Sequence, residues 1–144
     1  MNPIKLQRLS YKLKNIPLIP KLITYIIRLL FGCYLPYQLN LGKNFGIGYG
    51  GIGVVIHHRS VIGNNVHIDQ NVTIGGTSKK YAVPVLGNDI YIGAGAKIIG
   101  PITIGNNVVI GANSVIVKNI PDGSLVVGVP GKIIKTNIKK NDYF

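Results

Sequence analysis

From residue 62 to residue 115 a large aliphatic side chain returns every six positions, with small or polar residues between, in the units Ile62-Gly-Asn-Asn-Val-His67, Ile68-Asp-Gln-Asn-Val-Thr73, Leu86-Gly-Asn-Asp-Ile-Tyr91, Ile92-Gly-Ala-Gly-Ala-Lys97, Ile98-Ile-Gly-Pro-Ile-Thr103, Ile104-Gly-Asn-Asn-Val-Val109 and Ile110-Gly-Ala-Asn-Ser-Val115. A helix would space apolar side chains by three and four, and an ordinary strand would alternate in twos. Neither period fits. The pattern predicts a short strand with one large and one smaller inward residue, then a tight corner at Gly or Asn, the residues that tolerate left-handed backbone. Three units close a triangular coil, and stacked coils form a solenoid with strands roughly 4.8 Å apart.

The opening aliphatics should stack as interior ladders. The spacing predicts Ile68, Leu86 and Ile104 on one ladder, and Ile74 over Ile56 on another. Two stretches break the period. Ile56 starts a frame offset by three from Leu41 and Ile47, which places extra residues in Gly46-Ile-Gly-Tyr-Gly-Gly-Ile-Gly53. Residues 77 to 84 read as a projecting loop with Lys79, Lys80 and Tyr81 at its tip. Ahead of the solenoid, residues 3 to 15 and 18 to 33 have helical spacing and are separated around Pro17 and Pro20. The predicted organisation is a helical segment over 1–36, a solenoid domain over 37–135 and a basic tail over 136–144. The helices either cap the open end of the solenoid or lie on an acidic membrane surface as a peripheral contact.

Composition changes this picture in three ways. Aromatics make up 8% and Trp is absent, so the core must be aliphatic. Sixteen basic residues against Asp69, Asp89, Asp122 and Asp142 give a formal charge of +12, which points to an anionic partner. The basic residues cluster at the two ends and do not interleave with aromatics along one face, which argues against nucleic acid. The lone Cys33 excludes an internal disulfide and fits a reducing, cytoplasmic setting; it reads as a packing residue. The stretch from Leu18 to Leu35 is interrupted by Pro20, Lys21, Arg28 and Gly32, so no spanning helix or signal peptide is expected.

From about residue 39 to 135 the chain resembles the hexapeptide-repeat acyltransferases, most closely the serine acetyltransferases and their relatives that acetylate polysaccharides. The residues that carry the likeness are Val72-Thr-Ile-Gly-Gly-Thr77, Ile92-Gly-Ala-Gly-Ala-Lys-Ile-Ile-Gly100, Ile110-Gly-Ala-Asn-Ser-Val115 and Val126-Val-Gly-Val-Pro-Gly-Lys132. The resemblance implies a left-handed parallel β-helix, a homotrimer with active sites between subunits, and acetyl-CoA as co-substrate. It places Gly75, Gly76 and Thr77 against the pantetheine arm, Ala94 and Ala112 at small positions of the same groove, and Lys132 near the phosphates.

Transfer to a hydroxyl needs a base, and imidazole suits neutral pH. The chain has only His57, His58 and His67. Where serine acetyltransferases carry their catalytic His before a Gly-Ile-Val-Val-like run, this chain has Tyr49-Gly50 ahead of Gly53-Val-Val-Ile56. Their Arg-His pair for the serine carboxylate corresponds to about Ala82 and Val83. His57 is the preferred replacement base, His58 and His67 the others, because neighbouring strand residues point to opposite sides. Asp69 is a candidate to orient an imidazole, and Arg59 or Lys79 to bind an anionic acceptor. These departures favour acetylation of a sugar hydroxyl in capsule, lipopolysaccharide or exopolysaccharide synthesis, with serine O-acetylation as the alternative and a non-catalytic scaffold as a third reading. A zinc hydratase is disfavoured because adjacent His57 and His58 should diverge, and no metal is expected.

Overall fold

The computed structural model describes residues 2–144. The chain is a left-handed parallel β-helix of stacked triangular coils, entered through two helices. The first coil comprises β1 (Asn40–Leu41), β2 (Gly46–Ile47) and β3 (Val55–Ile56). Above it lie β4 (Val61–Ile62), β5 (His67–Ile68) and β6 (Thr73–Gly75), then β7 (Val85–Leu86), β8 (Ile90–Ile92) and β9 (Lys97–Ile99). The fourth coil comprises β10 (Thr103–Ile104), β11 (Val108–Ile110) and β12 (Val115–Ile116). A partial fifth coil bridges at Ile120, continues as β13 (Leu125–Val127), and reverses into β14 (Lys132–Lys135), which pairs antiparallel to β13. The first face of the prism is β1-β4-β7-β10, the second β2-β5-β8-β11-β13-β14, and the third β3-β6-β9-β12.

Each face contributes one interior ladder. These are Leu41–Ile62–Leu86–Ile104, Ile47–Ile68–Ile92–Ile110–Val126 and Ile56–Ile74–Ile98–Ile116. Ile74 stacks over Ile56 as the period requires. Ile68 does not share a ladder with Leu86 and Ile104; it stacks under Ile92 on the second face. Twenty-four positions separate Ile62 from Leu86, where eighteen separate Leu86 from Ile104. The loop after β6 therefore absorbs one hexad at a single corner, and the count runs one face out of step across it. The three extra residues before Ile56 form a turn over Gly48–Gly51.

The corners hold the left-handed residues that the pattern demands. Asn65, Asn71, Asn107 and Asn113 all have φ between 52° and 60°. At the corner between the first and second faces, side-chain oxygens also tie the coils together. Asn64, Asn88, Asn106 and Asp122 each accept, through Oδ1, the backbone N–H of Lys43, Asn64, Asn88 and Asn106 in the coil below, each at 2.8 Å.

The predicted helices are shorter than their pattern: α1 is Pro3–Lys12 and α2 is Ile19–Phe31. Asn2 caps α1, and Gly32 at φ 62° ends α2. The contacts make these helices the cap of the solenoid. Buried Gln7 donates to the carbonyls of Leu39 (2.8 Å) and Pro36 (3.3 Å), Arg8 donates to Gly42 O (2.6 Å), and Ile27 is buried in the core cluster. These polar contacts satisfy carbonyls at the start of the solenoid. The face of α2 opposite Pro20, Thr24 and Ile27 leaves Leu22, Ile26, Leu29 and Leu30 exposed. Among the described residues, no helix is long and apolar enough to cross a membrane. Cys33 lies just past α2 rather than within it; it is buried, and burial pushes its thiol up to about 11.

Candidate active site

Two clusters of candidate side chains sit on different parts of the prism. The first occupies the corner between the third and first faces, where β3 ends and the chain turns toward β4. His57, His58, Arg59 and Ser60 make that turn, and His57 N–H donates to Ile74 O (2.8 Å) in the next coil. The loop over residues 77–84 leaves the solenoid from the same corner, one coil on. Arg59 joins the two: its Nη2 donates to Tyr81 O (2.6 Å), and its guanidinium lies 4.1 Å from the Tyr81 ring centroid. Between corner and loop runs a groove of about 550 Å³ lined by Gln38, Asn40, His58 to Val61, Tyr81 to Val83 and Val85.

The two adjacent histidines do not diverge. Their rings stack with centroids 4.4 Å apart, because both sit on a turn rather than on a straight strand. This corrects the expectation that one would face the cleft and the other elsewhere. They differ in what their nitrogens can do. His57 Nδ1 accepts the backbone N–H of Arg59 (3.1 Å), so the neutral ring carries its proton on Nε2 and has no lone pair free for a substrate. Burial, then His58 and Arg59, hold its pKa below the ordinary value of 6.5. His58 is exposed and lines the groove.

His67 belongs to the second cluster, on the outer side of the second face, and not to the His57 corner of its own chain. Its Nε2 lies 3.4 Å from Asp69 Oδ1, and Tyr91 donates to Asp69 Oδ2 (2.6 Å). Asp69, the candidate to orient an imidazole, thus lies beside His67. Residues 140–144 cover this cluster: the Phe144 ring stacks on Tyr91 (centroids 4.7 Å apart) and lies tilted against His67 (4.2 Å), and Lys140 donates to Asn65 O (3.2 Å). Burial is the main cause that lowers the His67 pKa, with Asp69 opposing it and Lys140 reinforcing it. Neither Tyr91 nor Phe144 was singled out from the sequence, since an outward hexad position and a chain end carry no periodic signal.

The turn where relatives are expected to hold a histidine is built here from Tyr49 at φ 50° and Gly50 at φ 69°. A Cβ added at Gly50 would meet no atom of the described residues within 4 Å.

The cofactor candidates divide between the two edges of the third face. Gly75 ends β6, and Gly76 and Thr77 follow it on the histidine corner. Ala94 and Ala112 stack on the opposite corner, where Asn113 N–H donates to Ala94 O (2.8 Å). Within one chain they do not line a single groove, because a whole strand width separates the two corners. Gly75 needs no glycine for its own fold: it has no positive φ, and a Cβ there would make only ordinary contacts, 3.7 Å to Ile99 and 3.9 Å to Thr73. Lys132 is exposed on β14 at the far end, and Lys79 is exposed in the loop at φ 65°.

A six-residue repeat, three parallel faces and small residues at the corners define a hexapeptide-repeat solenoid. The family model for bacterial transferase hexapeptide (six repeats) matches residues 84–118, and the chain belongs to the hexapeptide-repeat transferases. It is 42% identical over 123 residues to a serine acetyltransferase of Synechococcus elongatus, covering 84% of this chain and 50% of that protein. The crystal structure of serine acetyltransferase from Brucella abortus superposes with a TM-score of 0.90 at 30% identity, over 95% of this chain and 57% of that one. Its complex with coenzyme A gives 0.86 at 30%, covering 94% and 56%. Soybean serine acetyltransferase complexed with serine gives 0.85 at 31%, covering 92% and 56%. The chain thus spans about half the length of the curated relatives it matches. These likenesses overturn the preference for a sugar hydroxyl in surface polysaccharide synthesis. That preference rested on the absent histidine and Arg-His pair, yet proteins named for serine acetylation match over 84% to 95% of this chain.

Proposed function

We propose that this protein is an acetyl-CoA-dependent serine O-acetyltransferase that works as a homotrimer in the cytoplasm. The observation that supports it best is the likeness of nearly all of this chain to about half of each serine acetyltransferase, including structures complexed with coenzyme A and with serine. Acetyl-CoA, when bound, supplies the acetyl group as a thioester. The room left by Gly75, which the chain's own packing does not use, suits a narrow pantetheine arm, with Gly76 and Thr77 beside it. Ala94 and Ala112, on the other edge of the third face, reach the same arm only if it lies between neighbouring subunits. The partly exposed valines on the outer sides of the faces, Val55, Val61 and Val85, offer surface for such packing. Lys132 stands as the candidate phosphate contact.

His58 is the proposed base. Its imidazole takes the proton of the acceptor hydroxyl as the oxygen attacks the thioester carbonyl, and returns it to the departing sulfur. His57 holds the turn through its Nδ1 contact, and its depressed pKa keeps it neutral beside His58 and Arg59. Thiol release from acetyl-CoA by the purified protein tests the reading, with L-serine and a panel of nucleotide sugars as acceptors. Release with L-serine alone is expected; release only with sugars, or with no acceptor, overturns it.

A further inference from the structure

Beside the groove at the histidine corner lie two buried donors with no partner among the described residues. Among the described residues the Arg59 side chain hydrogen-bonds through Nη2, and its buried Nε has no acceptor. Ser60 is 2% exposed, and its Oγ is also without a partner. A guanidinium presents five N–H groups in a planar fork, and leaving such donors unmatched in a buried site is costly. No carboxylate offsets the charge: Asp69, Asp89, Asp122 and Asp142 are the only acidic residues, and none lines the groove. The apolar wall is supplied by Val61, Val83 and Val85.

We propose that Arg59, with Ser60 beside it, is the carboxylate-recognition site for the acceptor amino acid. The loop segment that in relatives is expected to carry an Arg-His pair is here Ala82-Val83, and it lies immediately after the residue on which Arg59 stacks. The cation reaches the same groove from the solenoid corner instead of from the loop. A planar fork pairs a carboxylate through two parallel hydrogen bonds, and Arg59 lines the same groove as His58, the proposed base. Tyr81 holds the guanidinium by stacking and through its carbonyl, so the loop fixes the orientation of the fork.

This inference rests on the serine reading, and its test separates the two. Steady-state rates with L-serine and L-serinamide, which lacks the carboxylate, are compared for wild type, Arg59→Gln, Arg59→Lys and Ser60→Ala. Wild type is expected to favour L-serine by about 30-fold or more in kcat/KM, the scale of a charge-assisted bidentate contact. Arg59→Gln should lose that preference through the KM for L-serine and leave serinamide within about 3-fold. Arg59→Lys should retain part of the preference, and Ser60→Ala should weaken it less than Arg59→Gln. An equal loss with both acceptors in Arg59→Gln, or no preference in wild type, overturns the carboxylate site. Calorimetric titration of the same proteins with L-serine and L-serinamide distinguishes the failures. Arg59-dependent binding of L-serine without turnover keeps the site and discards the activity, whereas turnover of L-serine unaffected by Arg59→Gln keeps the activity and discards the site.

Discussion

Two corners of the same prism show how differently one repeat can be used. At the corner between the first and second faces, every coil turns through Asn or Asp, each side chain accepts a backbone N–H from the coil below, and spacing never varies beyond the hexad. At the corner between the third and first faces, the repeat is broken by His57-His58-Arg59 and by the loop over residues 77–84, and donors are left unpaired. The regular corner is self-satisfied and stabilises the stack. The irregular one keeps polar capacity in reserve, which is what a binding site requires.

The largest effect should come from striking the stack that both corners depend on. Ile92 is fully buried at the centre of the second ladder; Ile92→Asp buries an unpaired charge between Ile68 and Ile110 and should cost more than about 4 kcal/mol, enough to abolish cooperative unfolding by circular dichroism. The irregular corner should instead lose chemistry without losing fold. His58→Ala is expected to lower kcat about 100-fold or more while the melting curve and oligomer size hold, and His57→Ala should lower it less than about 10-fold. A reversed order would move the base to His57, and no loss in either would move it to His67.

The regular corner yields the converse. Asn88→Ala removes the acceptor for the Asn64 N–H and should cost about 1 kcal/mol in denaturant unfolding, with thiol-release rates unchanged. A drop in rate there would show that the two corners are coupled. The smallest effect concerns pH. His67 and His57 are both held below 6.5 in the folded chain, so the unfolded chain takes up their protons first. Their contribution to stability is complete above about pH 6.5 and is lost as pH falls through the depressed folded values. Melting temperature should decline with acid over that window, and His67→Gln should flatten the decline. An unchanged slope would mean that Asp69 already offsets the burial of His67.

The periodicity made the solenoid legible because each hexad is a local statement: an inward aliphatic, then a residue able to turn. It located both insertions, the three residues before Ile56 and the loop after Gly76, and the helical spacing before them. It did not reveal that the loop consumes a full hexad and shifts Ile68 onto another face, since residues alone do not say at which corner extra chain leaves the stack. The site was legible as types only. His57, His58, Arg59 and Tyr81 were visible as departures from the repeat, but their meeting was not, because Arg59 and Tyr81 lie on successive coils and touch only when those coils stack.

Sequence by itself determined the period, the aliphatic core, the corner residues and the shortage of acidic groups, all of which follow from local geometry and composition. Only the tertiary structure decided which histidine keeps a free nitrogen and which is spent on the Arg59 amide. It also separated His67 from the other two and left Arg59 and Ser60 with donors unmatched among the described residues. Hydrogen-bond partners and burial depend on distances of a few tenths of an ångström between residues remote in sequence, and those are fixed by the stacking of coils rather than by the order of residues along them.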